Sequence, residues 1–170
     1  MKKNNISSYC ITLMIICQVF CVCTPVFAIS EERKNVISER CEIIRDNLKD
    51  VQRSDSRVRI YLGRYYETIL NKFMIPLNLR LVENNLSETD LIKNQNDFNE
   101  ARTDFINNYV TYQKSLEELV MSDCKADPES FYNKLVDVRQ KRATVNDEAN
   151  KLRKLAGWQM SFAQALKEKI

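Results

Sequence analysis

The chain of 170 residues carries 26 Lys and Arg against 23 Asp and Glu, with no His, six Cys, three Pro and two Gly. Without His the commonest general base and the commonest metal ligand are both missing, and two Gly cannot write a phosphate-cradling loop or a dinucleotide fingerprint. A charge balance this close to zero gives no electrostatic case for nucleic acid or for an acidic membrane surface.

The first 28 residues have the layout of an export signal. Lys2 and Lys3 form a positive start, Ile11 to Val22 is almost wholly apolar, and Pro25 precedes Val26-Phe27-Ala28, which sets cleavage after Ala28. The apolar run is shorter than the ~20 residues of a spanning helix; retained rather than cleaved, it would act as an anchor, the one route to a membrane. Cleavage leaves residues 29–170 as a single modest domain. Taking away Lys2 and Lys3 leaves 24 basic residues against 23 acidic ones, and Cys41 and Cys124 as the only cysteines. The expected location is outside the cytoplasm: secreted, periplasmic or at the cell surface.

From Glu31 onward apolar residues recur at alternating spacings of four and three. The first series is Ile37, Cys41, Ile44, Leu48, Val51, Asp55, Val58, Leu62, Tyr65, Ile69. The second runs from Leu91 through Gln95, Phe98, Arg102, Phe105, Tyr109, Tyr112 and Leu116 to Leu119. The third runs from Phe131 through Leu135, Val138, Arg142, Val145 and Ala149 to Leu152, then drifts to Leu155, Trp158, Phe162 and Leu166. A repeat held this long predicts long helices packed side by side, with no strand-like alternation anywhere.

The boundaries are chemical. Ser30 with Glu31 and Glu32 opens the first helix, and Pro76 kinks or breaks it. Asn84-Asn85 is a turn, and Ser87 to Asp90 a capping-box variant. Asp127-Pro128-Glu129 supplies an N-cap, a proline at the first helical position and an acid after it. The prediction is all-α: helices at about 31–82, 88–122 and 128–168, in an elongated up-down-up antiparallel bundle of three.

A first hairpin turning around residues 82–83 sets Cys41 opposite Cys124. In an oxidising compartment this predicts a disulfide, against the alternative of two free thiols. The same pairing sets Asp55 against Tyr109 or Val110, and a second hairpin turning near residue 125 brings Arg142 into that layer. Arg102 falls near Gly63 and Glu148. Asp55, Arg142, Arg102 and Glu148 thus form an expected buried polar layer that fixes register.

No chemistry-bearing constellation emerges. Two cysteines without His make no zinc site, and neither a di-metal carboxylate motif nor an EF-hand spacing is present. The expectation is no enzyme, no cofactor and no metal. Apolar residues beside the seam either widen the core or form a patch for another protein or a second copy. The candidates for such a patch are Tyr61 and Tyr66 on the flank and Leu77, Leu79, Leu81 and Leu86 at the tip.

The reading is an exported, non-enzymatic helical protein that serves as a structural, adaptor or surface interaction module. The alternative is a periplasmic-type holdase for unfolded envelope proteins. In precursor length and helical content the chain is similar to the small exported coiled-coil chaperones of Gram-negative envelopes. It departs from them in lacking a strongly basic balance and in carrying two cysteines.

Overall fold

A computed structural model describes residues 29–86 and 89–167; the expected export signal and half of the Ser87–Asp90 cap lie outside the described residues. Among the described residues from Glu31 onward the chain is almost wholly helical, interrupted at Arg40 and by turns at 84–86 and 122–127, and no strand occurs. Its elements are α1 (Glu31–Glu39), α2 (Cys41–Thr68), a π-helical turn (Ile69–Met74), α3 (Ile75–Glu83), α4 (Thr89–Met121) and α5 (Pro128–Lys167).

Pro76 does not end the first long helix. Proline lacks an N–H, and its ring collides with the carbonyl four residues back. The turn ahead of it is widened instead: the Ile75 N–H reaches back five residues to the Leu70 carbonyl, and α3 continues to Glu83. A π turn of this kind takes in an extra residue without breaking the helix. A smaller interruption stands at Arg40, just before Cys41.

The ends are held by the chemistry of their own residues. Asn85 takes a left-handed backbone, φ 58°. Around it the Leu86 N–H bonds to the Leu81 carbonyl at 2.8 Å and the Asn85 N–H to Val82 at 3.1 Å. This is a Schellman closure, with Asn in the place that glycine usually takes. Asp127 caps α5 by accepting from the Ser130 N–H at 2.9 Å. One turn earlier, Asp123 Oδ1 accepts from the N–H groups of Lys125 and Ala126. Those two backbone donors hold its carboxyl below the ordinary range and shape the turn that carries Cys124.

Partner numbers show how the helices run. Along α2 and α3, Cys41 meets Cys124, Asp55 meets Tyr112, Tyr66 meets Phe105 and Phe98, and Asn78 meets Leu91. As one set rises the other falls, so the first helical arm and α4 are antiparallel. Against α5 both sets rise: Asp55 with Arg142, Tyr66 with Ala149, Asn78 with Gln159. The closest backbone packing is between α4 and α5. The buried seam holds Phe98, Phe105, Tyr112, Leu116 and Leu119 of α4 with Phe131, Val138 and Leu152 of α5.

The inward face drifts from the heptad series. Val58, Tyr65 and Trp158 are exposed, while Tyr66, Ala156 and Gln159 are buried. A straight α-helix turns by about 20° per heptad relative to a strict seven-residue repeat. Over the 28 residues of α2 the seam therefore moves on by most of a residue, from Tyr65 to Tyr66.

The two cysteines form a disulfide, Cα to Cα 5.5 Å, across a sequence separation of 83. Closing a loop of that length constrains the unfolded chain by about 4 kcal/mol on the chain-entropy model. Replacing both by serine should lower the unfolding free energy from denaturant titration by that much, and the midpoint with it, while leaving the far-ultraviolet helical signal in place. An unchanged midpoint would show that the bond contributes nothing beyond local packing.

Candidate functional site

Asp55 and Arg142 come together at the middle of the bundle. Arg142 donates from Nε to Asp55 Oδ2 and from its terminal nitrogen to Oδ1, each at 2.8 Å, and the Tyr112 hydroxyl donates to Oδ2 at 2.7 Å. The carboxylate is largely shielded, its side chain 15% exposed against 49% for the arginine. A two-point Arg–carboxylate fork is among the strongest side-chain contacts. The phenol that completes it is buried, and burial followed by its hydrogen bond to Asp55 pushes its pKa well above the tyrosine range. The hydrogen bond to Asp55 likewise raises Arg142.

Beside this triad lies a cleft of about 270 Å³ between α2 and α5, floored by Phe105 and Tyr109 of α4. The Arg59 guanidinium stands 5.3 Å from the centre of the Tyr109 ring, a cation–π distance. Chemically the group is a tie rather than an acid–base pair. The carboxylate accepts three hydrogen bonds from two side chains, and the phenol stays neutral at ordinary pH.

Arg102 and Glu148 do not pair with each other. Arg102 Nε and Glu148 Oε2 are both enclosed without a hydrogen-bond partner. Arg102 turns toward the groove between α2 and α4, where Gly63 leaves room. Glu148 lies 3.9 Å from Lys151 on its own helix.

A second polar layer escaped the sequence reading. Asn78 Nδ2 donates to the Leu91 carbonyl (3.1 Å) and to Gln95 Oε1 (2.9 Å). Asn94 Nδ2 donates to the Leu155 carbonyl (3.2 Å) and to Gln159 Oε1 (2.8 Å). Gln159 Nε2 closes the set on Asn78 Oδ1 at 3.2 Å. Asn78, Asn94 and Gln159 are all buried, and a buried amide is tolerated only when bonded in this way. The one available signal was Gln95, an uncharged polar residue inside a mostly apolar series.

The expected contact residues divide. Tyr61 is 70% exposed and stacks on Tyr65, ring centres 6.4 Å apart; Leu79 and Leu86 are also exposed. Leu77 is half-buried. Tyr66 and Leu81 are not surface residues. Tyr66, 2% exposed, lies edge-on to Phe98 and Phe105 and donates its hydroxyl to the Ala149 carbonyl at 3.2 Å. Its burial follows from the drift of the seam, and that of Leu81 from the Schellman closure, which commonly turns this position inward.

Among the described residues no group of three or more His, Cys, Asp or Glu could hold a metal ion, and no helix is long and apolar enough to cross a membrane. Comparison with protein-family models, with curated proteins and with solved structures returned no match.

Two expectations follow from these layers. Replacing Gln159 by Leu strands the amides of Asn94 and Asn78 and should cost about 1–3 kcal/mol by denaturant titration; no loss would mean water replaces the amide freely. The second concerns alkali. Tyr66 and Tyr112 both hold their protons above the ordinary value of 10, so their stabilising effect is complete below pH 10 and is lost as pH rises beyond it. Stability should fall above pH 10, and Tyr112→Phe should flatten that fall. Equal slopes in the two proteins would relieve Tyr112 of this role.

Proposed function

We propose that this chain is an exported, non-enzymatic protein: an elongated up-down-up antiparallel three-helix bundle, freed of its signal peptide after Ala28, that serves as a structural, adaptor or surface interaction module. The observation that carries the reading is the exposed aromatic and apolar face along α2. Tyr61 and Tyr65 stack in the open, and beyond them Ile69 and Phe73 line a shallow apolar hollow with Met160 of α5. Exposed aromatics on a rigid frame are what protein interfaces favour. The disulfide supports an oxidising destination, and the tied-up state of Asp55, Arg142 and Tyr112 supports a non-catalytic role. The partner in this reading is another protein or a second copy of the chain.

Tyr61→Glu should abolish capture of that partner in crosslinking of the natively exported protein, with fragments identified by mass spectrometry, while the melting temperature stays unchanged. One or two stoichiometric partners, or the chain itself, are expected. Undiminished capture by the variant would remove this face from consideration. A broad set of unfolded envelope proteins would replace the adaptor by the holdase.

A further inference from the structure

A second groove runs between α2 and α4, on the other side of Arg59 from the Asp55 cleft, with a volume of about 240 Å³. Three arginines line it, Arg59, Arg64 and Arg102, against a single acidic residue, Glu67. Among the described residues none of the three arginines has an ion-pair partner. Arg102 Nε is enclosed and makes no hydrogen bond. That atom is closed off from solvent, so an anion in the groove would meet the terminal N–H donors of Arg102 rather than its Nε.

The floor has a second feature. Gly63 sits inside α2, where glycine is the poorest helix former short of proline. Its backbone has no positive φ, and a Cβ built on it would meet nothing within 4 Å. Neither conformation nor packing therefore requires glycine here; its missing side chain keeps the groove open beside Arg64 and Arg102. The walls are Ile60, half exposed, and Ile106. The groove thus combines a surplus of fork-shaped cationic donors with an apolar lip.

We propose that this groove binds a phosphate-class oxyanion attached to an apolar body, its oxygens on Arg64 and Arg102 and its apolar part on Ile60 and Ile106. Guanidinium forks match phosphate oxygens in pairs, and the terminal N–H donors of Arg64 and Arg102 have no ion-pair partner among the described residues to compete with such an oxyanion. The third guanidinium, that of Arg59, lies over Tyr109 and adds positive potential from the shared wall. The same chemistry is offered by a lipid headgroup and by a free phosphate monoester. The inference stands apart from the Tyr61 face and does not depend on it.

The test uses the natively exported, oxidised protein and two probes, phenyl phosphate followed through the arginine Nε–H signals by NMR, and vesicles of phosphatidylcholine with or without phosphatidic acid. Phenyl phosphate should bind saturably and shift the Arg102 signal. Arg64→Gln and Arg102→Gln should each weaken binding by about tenfold or more, the loss of one charge-assisted fork. Gly63→Leu should raise the melting temperature, because leucine is the better helix former, and yet abolish binding by filling the groove. That variant keeps the test decisive if an arginine variant folds poorly. Sedimentation with phosphatidic acid vesicles, lost in Gly63→Leu, identifies a lipid headgroup; binding of phenyl phosphate alone identifies a free monoester. No saturable binding of either probe, or binding that Gly63→Leu leaves unchanged, overturns the proposal.

Discussion

Helices that share a long apolar seam can slide past one another with little change in buried area, because one leucine-sized contact resembles the next. What forbids sliding here is a set of contacts that work at one height only. The disulfide joins Cys41 to Cys124; Asp55 is forked by Arg142 and capped by Tyr112; Tyr66 reaches the Ala149 carbonyl; and Asn78, Asn94 and Gln159 close on one another. Slipping α5 by a single residue would break the ties made by Arg142, Ala149 and Gln159 and leave their polar groups without partners. Such layers specify arrangement more than they add stability. The clefts and the exposed aromatic face keep their geometry because these ties hold.

Much of this was legible in the residues. The seam of α4 follows its heptad series closely, since a helix packed on both sides keeps large apolar residues at nearly every inward turn. The cap at Asp127 and the turn at Asn85 follow from local chemistry that needs no tertiary knowledge. Cys41 and Cys124 could be matched because hairpin pairing is a matter of counting, and counting errors are smallest when the turn is short. The drift in α2 was not legible, because a series written at a 3.5-residue period conceals the slow rotation of a real helix. That is why Tyr65 and Tyr66 exchange places.

The amide layer was hidden for a different reason. Asparagine and glutamine are ordinary surface residues, and nothing local distinguishes Asn78 or Gln159 from their exposed neighbours. Only the accumulated rotation of three helices brings them together. The groove at Gly63 was obscured likewise, since an isolated glycine in a helical pattern reads as a tolerated weakness rather than as space. Sites built from absences, a missing side chain or a missing acceptor, leave almost no trace in a one-dimensional pattern.

The placement of the disulfide has a mechanical consequence. The covalent tie stands toward the α4–α5 turn, whereas the opposite end, with its π turn and its Asn85 closure, is held by noncovalent contacts alone. Local opening in such a structure starts where nothing covalent opposes it. The bundle is therefore a clothes-peg with its spring at Cys41 and Cys124. Amide hydrogens around Met74 to Leu81 should exchange with solvent ahead of those flanking Cys41, and a pulling force applied at the tip would part α3 from α4 well before the base yields.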